Sequence, residues 1–250
     1  MLVLLPPSEG KAPGGDGPPL DLPQLSFPEL GPVRARVVDA VERAAREQPD
    51  ALQRALGLSA GQAALVADDA ALTTAPTRPA LERYTGVVYE NLGYSTLRGS
   101  ARRRADRSLL VASALLGLLR PTDPVPAYRL SGSTAVPGLG GLAPLWRPVV
   151  EPLLAEHRLV VDLRSGAYAA LARAPHAVAV RVLRESGGRR SVVSHDNKWT
   201  EGRLARVLCE HGARSVDDVA EIGRTCADDV EVDGRRVDLV LRGLASARGR

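Results

Sequence analysis

Three stretches of this chain are apolar on both of their alternating faces: LVLL at 2–5, LLVASALLGLL at 109–119 and LVVDL at 159–163. A strand with one wet face alternates apolar and polar residues. A continuous run must instead be covered on both sides, as in the middle of an α/β sheet. Segments of helical period lie between these runs. In PVRARVVDAVERAAREQPD, Val33, Val37, Val38 and Val41 share one face, which predicts a helix over 33–47 ended by Pro49. Further helices are expected near 79–91, 144–156 and 201–210 and over DDVAEIG. AVAVRVLRE and RRSVVSH read as strands joined through Gly187-Gly188, and VEVDGRRVDLVLR as a hairpin around Asp233-Gly234. The expectation is an α/β (mixed α+β) fold: a single domain over 1–250, with a central mixed sheet and flanking helices. There is no internal repeat, and residues 12–32, rich in Gly and Pro, form a long loop.

DALQRALGLSAGQAALVADDAAL, within about 49–72, reads as a short helix, a turn at Leu56-Gly57-Leu58 and a second helix, with Ser59 and Gln62 spaced as a capping box. Such a helix-hairpin-helix-like element can hold a nucleic-acid backbone through its turn amides. It is also a common way to join two helices.

Composition narrows the class. A 44% apolar and 25% charged chain is an ordinary folding sequence, and a formal charge of +4 is compatible with an anionic partner. Cys209 and Cys226 make no disulfide framework, and His157, His176, His195 and His211 show no zinc spacing, so no metal is expected. No GxGxxG or P-loop is present, and no cofactor is expected. The apolar start is too short for a leader and no run is long enough for a membrane span, so a cytoplasmic protein, monomeric and without membrane contact, is expected.

Five polar segments sit where an α/β protein usually builds its site, just beyond strand ends: PPSEGK (6–11), RYTGVVYENLGY (83–94), SALLGLLRPTDPVPAYRL (113–130), DLRSGAY (162–168) and SHDNKWTEGR (194–203). Of the 33 basic residues only Lys11 and Lys198 are lysine; the other 31 are arginine. An amine can titrate and react where a guanidinium cannot. Arg120, Asp123, Tyr128 and Arg129 stand among three prolines, which suits a rigid ligand loop or an internally pinned Arg–Asp pair. His195 is a candidate acid or base, or a strand-end histidine bonded to backbone. Ser165 reads more simply as a helix N-cap than as a nucleophile. All five tyrosines fall between 84 and 168, placed to stack on a base or to donate a hydroxyl.

Taken in order, these segments resemble the YaaA family of peroxide-stress proteins, with SALLGLLRPTDPVPAYRL the strongest match and the likeness running over roughly 1–243. The resemblance implies one mixed α/β domain with a basic cleft, protection from hydrogen peroxide by limiting iron-driven damage, and binding of duplex or branched DNA. Carried onto this chain, it places Lys11, Tyr89, Arg120, Tyr128, Arg129, Ser165, Tyr168, His195 and Lys198 in the cleft. The candidate catalytic set is Lys11, Asp123, His195 and Lys198. Ser8, Tyr89, Arg120, Tyr128, Arg129, Ser165, Tyr168 and Arg203 are candidates for ligand binding, and Gly57, Arg120, Arg129 and Lys198 for DNA. Two positions depart from the family pattern: Glu9-Gly10 stand where a Ser-Pro-Ala-Lys string is frequent, and Glu201 stands where a lysine often does. An enzyme acting on a nucleobase- or nucleotide-like ligand is the competing expectation. Direct iron binding is a third, without the spacing of a 2-His-1-carboxylate site.

Overall fold

β1 (Leu2–Leu5) lies at the heart of the sheet, with parallel partners on both sides. In the computed structural model, which describes residues 1–186, 189–191 and 194–242 (without the side chains of 194–196), all four of its residues are buried. The other sheet strands are β2 (Leu109–Ser113), β3 (Gly117–Leu119), β4 (Val160–Asp162), β5 (Val178–Ser186), β6 (Arg189–Ser191), β7 (Asp229–Asp233) and β8 (Arg236–Arg242). Their order is β7-β8-β5-β4-β1-β2-β3, with β6 paired to β5. β8, β5, β4, β1 and β2 are parallel; β3, β6 and β7 are antiparallel additions. The mixed sheet in an α/β domain is as expected, and so is the Asp233-Gly234 hairpin. The Gly187-Gly188 junction lies outside the described residues.

The helices are α1 (Gly31–Glu47), α2 (Pro49–Ala55), α3 (Ala64–Asp69), α4 (Ala80–Arg83), α5 (Val87–Leu92), α6 (Gly99–Ser108), α7 (Ala143–Ala155), α8 (Gly166–Ala169), α9 (Ser194–His211) and α10 (Val216–Gly223). Between α2 and α3 the turn passes through Gly57 at φ +66°, and Gln62 Oε1 accepts from the Ser59 amide at 3.1 Å.

Three expectations need correction. The run 109–119 is two strands, not one. Ser113 Oγ accepts the amides of Leu115 and Leu116 and closes a turn, which folds β3 back as the sheet edge. Fully buried Arg34 of α1 then donates to the carbonyls of Leu116 and Leu118 at 2.9 and 2.8 Å, which occupies part of that edge. The helix expected over 79–91 breaks in the middle. Gly86, at φ +102°, suits no other residue well, and Tyr84 turns extended to bridge Lys11. The last long helix begins at Ser194 rather than 201, so Ser194 and His195, expected as the end of the strand RRSVVSH, open the helix with DNKW, and that strand is described only over Arg189–Ser191.

That helix approaches α5 closely at Gly202, where a methyl group would overlap the Val88 carbonyl oxygen. Replacing Gly202 by Ala must therefore push α9 off α5, at a cost of about 1–3 kcal/mol. Urea unfolding should show a lower midpoint with an unchanged slope; an unchanged midpoint would refute this close approach.

Candidate functional site

Open α/β sheets bind ligands beyond the carboxyl ends of their strands, where neighbouring strands send their connections in opposite directions. Here that point is β1 and β4. β1 leads to β2 on one side and β4 leads to β5 on the other. A crevice of about 740 Å³ opens there. Its walls come from the Pro6–Gly10 segment after β1, the Ser165–Tyr168 segment after β4, the Thr85–Tyr89 segment, and one face of α9. Ser8, Tyr89, Ser165, Tyr168 and Lys198 of the expected set thus meet in one place, joined by Asn197 and Glu201.

PPSEGK is a hooked rim. Thr85 N–H donates to Ser8 Oγ at 3.1 Å and to the Gly10 carbonyl at 3.2 Å, and Ser8 Oγ donates to the same carbonyl. Tyr89 Oη donates to the Pro6 carbonyl at 2.8 Å. Arg129 holds the rim from outside, pairing with the Glu9 carboxylate at 2.9 Å. Glu9, one of the two departures from the family pattern, therefore anchors a neighbouring arginine.

Lys11 follows the rim. Its Nζ donates to the Ser8 carbonyl at 3.1 Å and lies 4.0 Å from the centre of the Tyr128 ring. Tyr128 Oη is bonded to Tyr84 Oη at 2.7 Å and to Ser113 Oγ at 2.8 Å, and Tyr84 stacks on Tyr89 at 5.6 Å. Burial pushes all three phenols up, so at neutral pH they are neutral walls and donors. The same burial pulls the Lys11 amine down to about 7. The Arg129 cation adds to this, and Asp69 and Glu9 oppose it.

Asp69, the last residue of α3, stands outside the set that the sequence suggested. It is completely buried. Its Oδ1 accepts the Arg129 amide at 2.8 Å, and its Oδ2 is buried with no hydrogen-bond partner. Desolvation raises it to about 7, while the Arg129 amide and Lys11 restrain the rise. The available signal was its place three residues after Val66, on the buried face of α3. Lys11, Asp69, Tyr128 and Arg129 stand behind the rim and do not line the crevice; Glu201, the other departure, does line it and is also raised to about 7 by desolvation, against the pull of Lys198.

Other expected residues lie apart. Asp123 is buried and accepts from Ser26 Oγ and the Arg120 amide, each at 2.8 Å, which pins its own loop. Arg120 donates to the Arg107 carbonyl at 2.6 Å and packs against Phe27. Neither lines the crevice. Arg203 is exposed on α9 over Trp199. Ser165 holds the N-cap position of α8, yet its side chain makes no capping bond and its hydroxyl stands at the crevice. His195 falls in the first turn of α9, and its side chain lies outside the described residues. Among the described residues no group of three or more His, Cys, Asp or Glu is placed to hold a metal ion, and no helix is long and apolar enough to cross a membrane.

The class of protein is thus a mixed α/β domain with a ligand-sized crevice at its switch point. The chain belongs to the YaaA peroxide-stress family: a family model described as "Peroxide stress protein YaaA" matches residues 1–226. Among curated relatives, a UPF0246 protein of Corynebacterium efficiens is 43% identical over 250 residues, covering 96% of this chain and 99% of its own. A UPF0246 protein of Streptomyces coelicolor is 48% identical over 221 residues, covering 85% and 84%.

The opposed charges around Lys11 predict opposed shifts. Asp69→Asn removes a carboxylate that favours the ammonium, so the amine should titrate below about 7; Arg129→Ala removes a cation, so it should titrate above about 7. Competitive acetylation of Lys11 against pH measures both, and shifts of the same sign would refute the assignment.

Proposed function

We propose that this chain serves the peroxide-stress response by binding DNA, with the switch-point crevice receiving one nucleotide unit or base. The family supports the stress role. The observation that carries the rest is the crevice itself. At about 740 Å³ it lies in the range of nucleotide-sized sites, and it combines the Tyr89 and Tyr168 side chains with the Ser8 and Ser165 hydroxyls and the Lys198 ammonium. Aromatic and hydroxyl groups suit a base and sugar, and cations suit the flanking phosphates. Lys198 lines the opening, and exposed Arg203 lies five residues further along the same helix. The Gly57 turn is a second backbone contact in this reading. In this reading the limitation of iron-driven damage is exerted at the DNA.

Binding of labelled duplex and four-way-junction DNA, followed by anisotropy at several salt concentrations, tests the proposal. Lys198→Ala with Arg203→Ala should weaken binding and flatten the salt dependence by about one unit of log–log slope for each phosphate no longer neutralised. A mononucleotide should compete with the DNA. Unchanged affinity and slope would overturn the reading.

A second reading, catalysis on a nucleobase- or nucleotide-like ligand, is favoured by one specific observation: the depressed amine of Lys11 beside the crevice rim.

A further inference from the structure

We propose that Lys11 and Asp69 form a nucleophile–base pair that captures an aldehyde or ketone carbonyl as an imine at the rim of the crevice. This rests on reading the crevice as a ligand site and adds the chemistry of the ligand.

The first ground is the setting of the amine. A lysine that serves a phosphate is best left charged and solvated, and a guanidinium does that work more durably. This chain has 31 arginines to draw on, yet an amine stands here. It is partly buried, set over the Tyr128 ring, with one hydrogen bond to a carbonyl. The second ground is the buried carboxyl. An oxygen with no partner in a completely buried side chain costs stability, and it persists where something else uses it. Asp69 and Lys11 lie within each other's field, each moving the other toward its charged form, yet among the described residues no ion pair joins them. The amine thus lacks the close carboxylate that would keep it protonated. The other charged groups acting on it are Arg129, Glu9 and Arg83. Two cations and one carboxylate besides Asp69 favour the neutral amine further.

The step balances without an oxidant or a reductant. Among the described residues no ion pair joins the two groups, so the ammonium proton reaches Asp69 through one intervening water. The amine lone pair adds to the carbonyl carbon, a C–N bond forms, the carbonyl π electrons go to oxygen, and a proton passes from the newly bonded nitrogen to that oxygen. Asp69 returns its proton to the hydroxyl of this carbinolamine. The C–O bond breaks, water leaves, and the C=N bond closes. The shared ligand chemistry is the open-chain aldehyde of a sugar, whether a free small molecule or the ring-opened deoxyribose of a base-less site in DNA.

Reductive trapping tests this. The full chain is incubated with sodium cyanoborohydride and either glyceraldehyde or a duplex oligonucleotide bearing one abasic site, and the adduct is mapped by peptide mass. Lys11 should carry the adduct in clear excess over Lys198, the only other lysine. An adduct with glyceraldehyde alone assigns a small-molecule carbonyl; one with the oligonucleotide alone assigns DNA. Lys11→Arg, with its melting temperature compared to wild type, should abolish the adduct. Asp69→Asn gives the sharper result. It increases the neutral amine, so a merely electrostatic role predicts equal or faster trapping, whereas a proton-transferring role predicts slowing of roughly a hundredfold. No adduct on Lys11 in either arm, or equal labelling of Lys198, would overturn the proposal whether or not the variants fold. Retained DNA binding without an adduct would leave the binding proposal standing and remove only the imine.

Discussion

The guanidinium of Arg83 is the interaction on which the site depends. It is completely buried and donates to the carbonyls of Val125 at 2.9 Å, Gly14 at 2.7 Å, Pro76 at 3.2 Å and Ala12. These acceptors belong to or border a small antiparallel sheet of Gly17–Pro19, Pro76–Pro79 and Pro124–Val125. Proline has no amide hydrogen, so a sheet this rich in proline is short of donors. Arg83 supplies them from a side chain. Ala12 is the residue after Lys11, so the same group that knits three loops together also fixes the exit of the lysine segment. Its charge is one of those that depress the Lys11 amine. Packing and electrostatics are therefore set by one side chain.

Around that anchor the sheet does the coarse positioning. β1 and β4 deliver PPSEGK and DLRSGAY to the same edge, because both strands run parallel and end side by side. Arg164 stiffens the second segment by pairing with Asp162 at 2.7 Å and donating to the Ala172 carbonyl at 2.9 Å. The tyrosines fill the space between the segments as a hydrogen-bonded and stacked group. Their hydroxyls reach from Ser113 at the end of β2 to Tyr84, which bridges Lys11.

Much of this was legible in the chain. Period and apolar runs disclosed the parallel core, α1 and the last hairpin, because those signals are local. The polar segments after β1 and β4 were legible as a site because strand ends are where such folds place one. Asp69 and Arg83 were not. Each is defined by partners far along the chain: Asp69 by the amide of Arg129, 60 residues on, and Arg83 by the carbonyl of Ala12, 71 residues back. No local pattern separates a charge that will be swallowed by distant backbone from one that will face water. Asp123 and Arg120 show the mirror case: of the two readings that proline-set loop left open, the structure has the loop arranged around its own carboxylate.

The approach of α9 to α5 at Gly202 gives the crevice two walls of unequal stiffness. On that side backbone meets backbone, with no side chain between to yield. On the other, the Arg129–Glu9 pair, with side chains 21% and 80% exposed, is worth about 0–1 kcal/mol, and the Tyr89, Thr85 and Lys11 hydrogen bonds hold the hook. A guest must therefore be shaped to the α9–α5 wall, while loss of the Arg129–Glu9 pair alone would leave the hook in place.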